Sequence, residues 1–155
     1  MILIALTLAA AHAAPIPPPL EVEIVRDAIT DRQRVTATLR GNRERIVISC
    51  EAPDWTNVKV SYHSGRWLAR GNWLAGEEPI TFRFDAHPPQ RHFWRVRDRT
   101  ASISSRDRVF AFLQALRDAR RLVVRARDIE YRSFDSAFEI GDSSPAIAAL
   151  LDVCG

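Results

Sequence analysis

Lysine is almost absent: of 22 basic side chains only Lys59 is a lysine, and the other 21 are arginines. A skew of this kind follows from nucleotide composition as readily as from function. Glycine is scarce (6) and proline unexceptional (9), while 46% of residues are hydrophobic and 26% charged. That balance excludes a disordered chain, a collagen and a coiled coil. The apolar run Ile2 to Ala11 is only ten residues long, half of the roughly 20 needed to span a membrane. With 155 residues the chain can build one domain around a real core, and is too short for two.

Catalytic signatures are missing as well. No G-x-S-x-G, H-E-x-x-H, Walker or dinucleotide pattern occurs. The single lysine sits in Thr56-Asn57-Val58-Lys59, which lacks the serine of an S-x-x-K nucleophile. His87 and His92 flank Pro88-Pro89-Gln90-Arg91, a spacing that matches no standard zinc site, with only Asp85 nearby to complete one. Glu77 and Glu78 precede Pro79 and read as a solvated turn, not as a tuned acid–base couple. No cofactor, metal ligand or catalytic residue is therefore assigned.

What is present begins with an export signal. The apolar run leads into Ala11-His12-Ala13, an A-x-A cleavage pattern, and then into a proline-rich stretch ending at Pro19. Residues 1–13 thus read as a secretory signal peptide cut after Ala13, the alternative being a buried N-terminal helix. The expectation is a periplasmic or secreted protein with no transmembrane segment in the mature chain. An oxidising compartment makes Cys50 and Cys154, the two cysteines, a disulfide pair by default, the alternative being two free thiols, one of them catalytic. Such a bridge closes a loop of about 100 residues.

The pattern after the spacer is mostly that of strands. Residues 14–30 read as a proline-rich segment and an edge strand, and 31–155 as one β-rich domain. Val35, Ala37 and Leu39 alternate with Thr36 and Thr38; Ile46, Ile48 and Cys50 alternate with Val47 and Ser49. With the turn at Arg40-Gly41-Asn42 these make a hairpin. Pro53 to Asn57 reads as a second turn before Val58, Val60 and Tyr62, and Ile80, Phe82 and Phe84 mark a further strand. Trp94 and Val96 open another. Val109, Phe112, Leu113 and Leu116 then repeat at helical spacing behind a Ser-Ser-Arg-Asp N-cap signal, predicting a helix over 105–119. Strand alternation returns at Leu122 to Ala126 and Phe134 to Ile140, and Ser144-Pro145 starts a short C-terminal helix. The fold class is α+β, mainly antiparallel β as a sandwich or curved sheet, with one mid-chain and one C-terminal helix.

Two surface features suggest binding. Arg95 and Arg97, like Arg125 and Arg127, lie two apart on their strands and so share a face. A basic face favours anionic partners; outside the cytoplasm these are wall polymers, lipid headgroups or an acidic envelope protein, and nucleic acid is not expected. Trp67 and Trp73 sit in a repeated W-L-A and can anchor a partner, or fold back as a satellite cluster. Arg83 and Asp85, two apart on one strand, are expected to form a structural pair.

Four stretches in order carry a likeness to a known family: Arg45-Ile46-Val47-Ile48-Ser49-Cys50; Ile80-Thr81-Phe82-Arg83-Phe84-Asp85 followed by Trp94; Phe112-Leu113-Gln114-Ala115-Leu116 followed by Leu122-Val123-Val124-Arg125; and Ala137-Phe138-Glu139-Ile140-Gly141 followed by a helix ending in Cys154. Over residues 35–154 the chain resembles the small periplasmic accessory proteins of type VI secretion, the VasI/TagO-like family. The resemblance implies a non-enzymatic envelope accessory protein and carries over no catalytic residue. The competing reading is a cell-wall-active enzyme, or an enzyme inhibitor, with no recognisable motif.

Overall fold

The computed structural model describes residues 20–51, 54–69 and 76–154. The expected signal peptide, the spacer to Pro19 and Trp73 lie outside the described residues. Among the described residues, 53% of which are strand, nine strands make one open, curved, antiparallel sheet accompanied by two helices. Of the two β architectures expected, the curved sheet is the one found.

The first four strands form a meander: β1 (Glu21–Arg26), β2 (Gln33–Arg40), β3 (Arg45–Glu51) and β4 (Asp54–His63). β1 lies at the edge, as its position in the sequence suggested. In β2 and β3 the alternation works as read. Val35, Ala37, Leu39, Ile46, Ile48 and Cys50 are buried, and the residues between them face outward. Gly41 in the connecting turn brings the backbone against Phe138. A Cβ there would stand 3.0 Å from the ring.

The chain then crosses to the far half of the sheet. β5 (Glu77–Phe84), β6 (Gln90–Arg97) and β7 (Thr100–Ile103) run back as a second meander until β7 pairs with β4. β7 was not anticipated. Two expected turns also prove to be strand: Asp54 to Asn57 belongs to β4, and Glu77 to Pro79 opens β5.

Helix α1 (Arg106–Asp118) connects β7 to β8 (Arg121–Arg127), which pairs with β5 on its other side. Val109, Phe112, Leu113 and Leu116 are its buried face. Phe112 meets Phe82, Phe84 and Trp94 edge-on at 5.2–6.1 Å, a geometry that aromatic quadrupoles favour. Ser105 is the N-cap, yet its side chain makes no capping bond.

β9 (Ser133–Glu139) closes the second edge, and α2 (Ser144–Cys154) packs on β2, β3, β4 and α1. The sheet curls far enough for Tyr62 on β4 to reach β9. Its hydroxyl lies 2.6 Å from Ser136 Oγ and its ring meets Phe138 edge-on. Burial holds the Tyr62 phenol well above its usual pKa, so it stays a neutral partner. The buried Ser143 hydroxyl donates to the Leu116 carbonyl at 3.0 Å, tying the start of α2 to the end of α1. No helix among the described residues is long and apolar enough to cross a membrane.

Candidate functional site

The outward face of β6 and β5 carries a row of exposed basic groups. Period-two alternation places Arg91, Phe93, Arg95 and Arg97 along the outer side of β6, with Trp94 and Val96 turned into the core. The register sets Thr81 opposite Arg91, Pro79 opposite Phe93 and Glu77 opposite Arg95. Arg83 continues that face on β5. All four arginines are exposed and have no ion-pair partner among the described residues. Phe93 stands between them with 57% of its surface in solvent. Arg91 and Phe93 were legible from the rule that picked out Arg95 and Arg97, carried back along the same strand.

The other half of the expected basic face is already occupied. Arg125 makes a two-pronged contact with Asp135 on β9, at 2.6 and 2.8 Å. That contact holds the Asp135 carboxyl below its usual range. Arg127 turns to Glu78, whose Oε1 accepts from its guanidinium at 2.5 Å. Glu78 corrects the sequence reading: it lies at 0% exposure on the inner side of β5, not in a solvated turn. Arg125, on the surface, and Arg127, half-buried, are thus committed to carboxylates of the same chain, while Arg95 and Arg97 make no such pair among the described residues.

Asp85 also differs from expectation. It lies past the end of β5 with φ of 46°, and its carboxylate accepts the backbone N–H groups of Arg120 and Arg121 at 2.8–3.2 Å. Those bonds fix the start of β8. The Asp85 role is structural, but its partner is the α1–β8 connection and not Arg83.

The histidines are spread over the fold. His63 Nδ1 lies 3.1 Å from Thr100 Oγ1, and burial lowers its pKa with help from Arg45 and Lys59. His92 points inward, edge-on to Phe82 at 5.2 Å, with Nδ1 buried and unpartnered among the described residues. Burial, then the Arg108 charge, lowers its pKa too. His87 lines a cavity of about 450 Å³ between the β5–β6 turn and the last turn of α1, with Phe82, Phe84, Pro88, Pro89 and Gln90. Two carboxylates reach that cavity, but Asp85 is held by backbone donors and Asp118 by Arg117. No group of three His, Cys, Asp or Glu side chains suited to a metal occurs among the described residues.

Trp67 is 49% exposed beside the β8–β9 turn. Comparison of the chain with protein-family models, with curated proteins and with solved structures finds no match.

Proposed function

We propose that this chain is an exported, non-enzymatic binding protein of the cell envelope, which holds an anionic wall polymer or an acidic envelope protein on the outer face of β6 and β5. One observation carries the reading. Arg91, Arg95 and Arg97 are exposed and make no ion pair among the described residues, with Arg83 exposed beside them, although Arg125 and Arg127 nearby have found carboxylates. The β6 row spans six residue steps, roughly 20 Å at the usual strand rise. That length suits a polymer with repeated charges. The planar guanidinium binds carboxylate or phosphate in two places and stays charged at any working pH, and Phe93 adds an apolar contact between the charges.

Export rests on the Ala11-His12-Ala13 site behind the apolar run. The Cys50–Cys154 bridge is part of the same proposal. Cys50 is buried on β3, α2 packs against that strand, and no free cysteine occurs among the described residues. A role beside a type VI secretion system rests on the family resemblance alone.

The test replaces Arg91, Arg95 and Arg97 with Gln and compares retention on purified cell wall. Retention should fall and the melting temperature should hold, because exposed charges contribute little to stability. Salt should mimic the substitution, since the screening length shrinks from about 10 Å at 0.1 M to about 3 Å at 1 M. Equal retention of both proteins at low salt would overturn the reading. A wall-active enzyme draws instead on the cavity at His87, and release of soluble wall fragments by the purified protein would select it.

A further inference from the structure

At one end of the sheet three loops are tied into a single surface. Ser64 N–H donates to the Arg99 carbonyl at 3.0 Å, and Leu68 N–H to the Asp98 carbonyl at 2.9 Å. The buried Ser64 hydroxyl donates to the carbonyls of Arg66 and Arg99, at 2.6 and 3.1 Å. Leu68 and Asp128 form an antiparallel bridge, with Ala69 N–H on the Arg127 carbonyl and Ile129 N–H on the Trp67 carbonyl.

The bridge decides which side chains face out. Leu68 and Asp128 are buried, so their neighbours Trp67 and Ile129, opposite each other in the register, point to solvent. Asp128 shapes the turn beyond. Its Oδ1 accepts from the N–H groups of Glu130 and Arg132, and its carbonyl from Tyr131 N–H. The turn leaves Ile129 at 61% and Tyr131 at 56% exposure. Arg99 lies over the Trp67 ring and Arg127 over the Tyr131 ring, each at 5.3 Å.

Each loop turns through one left-handed residue: Gly65, Asp98 and Tyr131 have φ of 67°, 56° and 60°. For Tyr131 that conformation costs energy, and what it accomplishes is the display of an aromatic ring. Charge selects what such a ring meets. Glu78, Asp128 and Glu130 are taken by Arg127 and Arg132, and Asp98 is engaged as well. Arg66 and Arg99 have no ion-pair partner among the described residues.

We propose that Trp67, Ile129 and Tyr131 form a preformed docking site for a partner protein, which presents an apolar segment flanked by acidic residues. The aromatics and Ile129 take the apolar anchor, and Arg66 and Arg99 take the acids. Exposed Trp, Tyr and Arg make up the side chains that dominate protein contacts. Ile129 favours a protein over a glycan, because an aliphatic side chain offers a sugar ring no stacking face. The site shares no residue with the β6 face, so each proposal can fail without the other.

The experiment selects a phage-displayed dodecapeptide library on the purified protein and measures the winners by calorimetry. Selected peptides should carry Asp or Glu beside large apolar residues and should weaken with salt. Trp67→Ala and Ile129→Ala should each weaken binding at least about tenfold. Substitution of Arg91, Arg95 and Arg97 should leave it unchanged. Tyr131→Gly separates docking from folding: glycine relieves the positive φ, so the melting temperature should hold or rise while binding falls. The proposal is overturned if no peptide is selected, if the winners lack acids, or if they bind Trp67→Ala as tightly as the parent. It is equally overturned if chitotetraose binds in a Trp67-dependent way and the peptides do not.

Discussion

Arg127 on β8 and Glu78 on β5 form an ion pair that is open on one side and closed on the other. The arginine side chain is 37% exposed and the glutamate side chain 0%. Glu78 Oε1 takes the guanidinium, whereas Oε2 is buried without a hydrogen-bond partner among the described residues. Trp94 Nε1, on the residue directly opposite in the β5–β6 register, is buried and unpartnered too.

Removing the arginine alone therefore leaves a buried carboxylate without its counter-charge. Arg127→Gln should destabilise by about 3 kcal/mol, the low end for breaking a buried pair, because solvent still reaches the arginine side. Glu78→Gln with Arg127→Gln should cost less than Arg127→Gln by itself. Urea denaturation of the four proteins in the cycle decides this. Equal costs for the single and double variants would mean that Glu78 does not depend on Arg127.

How much of this was legible in the sequence depends on how local the cause is. The β2–β3 hairpin, α1 and β8 follow from side-chain periodicity, which is set within a few residues. Glu77-Glu78-Pro79 reads as a turn because two acids and a proline disfavour a buried strand. What makes it strand is the ladder with β6, and what lets Glu78 be buried there is Arg127, 49 residues further on. Asp85 follows the same logic, since the N–H groups it accepts come from Arg120 and Arg121. β7 has four residues and gains its place only by pairing with β4 and β6. The basic face was half legible: alternation orients an arginine but does not say which arginines meet a carboxylate.

The two helices should be coupled through Ser143. Its hydroxyl is fully buried and donates to the Leu116 carbonyl near the end of α1, whose other donor is the distant Ala119 N–H at 3.4 Å. Ser143→Ala should cost about 1 kcal/mol, the usual net loss of one hydrogen bond, since the Leu116 carbonyl keeps the weaker Ala119 N–H. Hydrogen exchange should quicken at the last turn of α1 and the first turn of α2 while β2 and β3 keep their protection. Uniform loss of protection across the sheet would contradict a local coupling.

The proposed Cys50–Cys154 bridge predicts a redox-dependent melting temperature. Cys154→Ser should lower stability by about 2–5 kcal/mol, and reductant should do the same to the parent but nothing to the variant. The physical effect is confinement of the unfolded chain, since the two cysteines lie about 100 residues apart. Identical melting curves with and without reductant would remove the bridge from the proposal.

The pH dependence of stability should fall into two separate windows. His63 and His92 both have pKa values lowered by burial, with Arg45 and Lys59 adding to the first and Arg108 to the second. Unfolded, each titrates near about 6.5. Below that value the unfolded chain takes up protons that the folded histidines refuse, so stability falls as pH drops from about 6.5. For His92 the refusal has a local cause: a proton on Nδ1 would create a buried donor facing no acceptor. The carboxylates behave oppositely in origin but alike in sign. Asp135 and Asp118 are held below their usual pKa by Arg125 and Arg117, and their contribution is lost only as pH falls through the carboxylate range, below about 4. Melting temperature should thus decline as pH drops below about 6.5, and decline further below about 4. His63→Gln with His92→Gln should flatten the first decline and leave the second. A double variant whose melting temperature still tracks the parent between pH 6.5 and 5 would show that the histidines are not its cause.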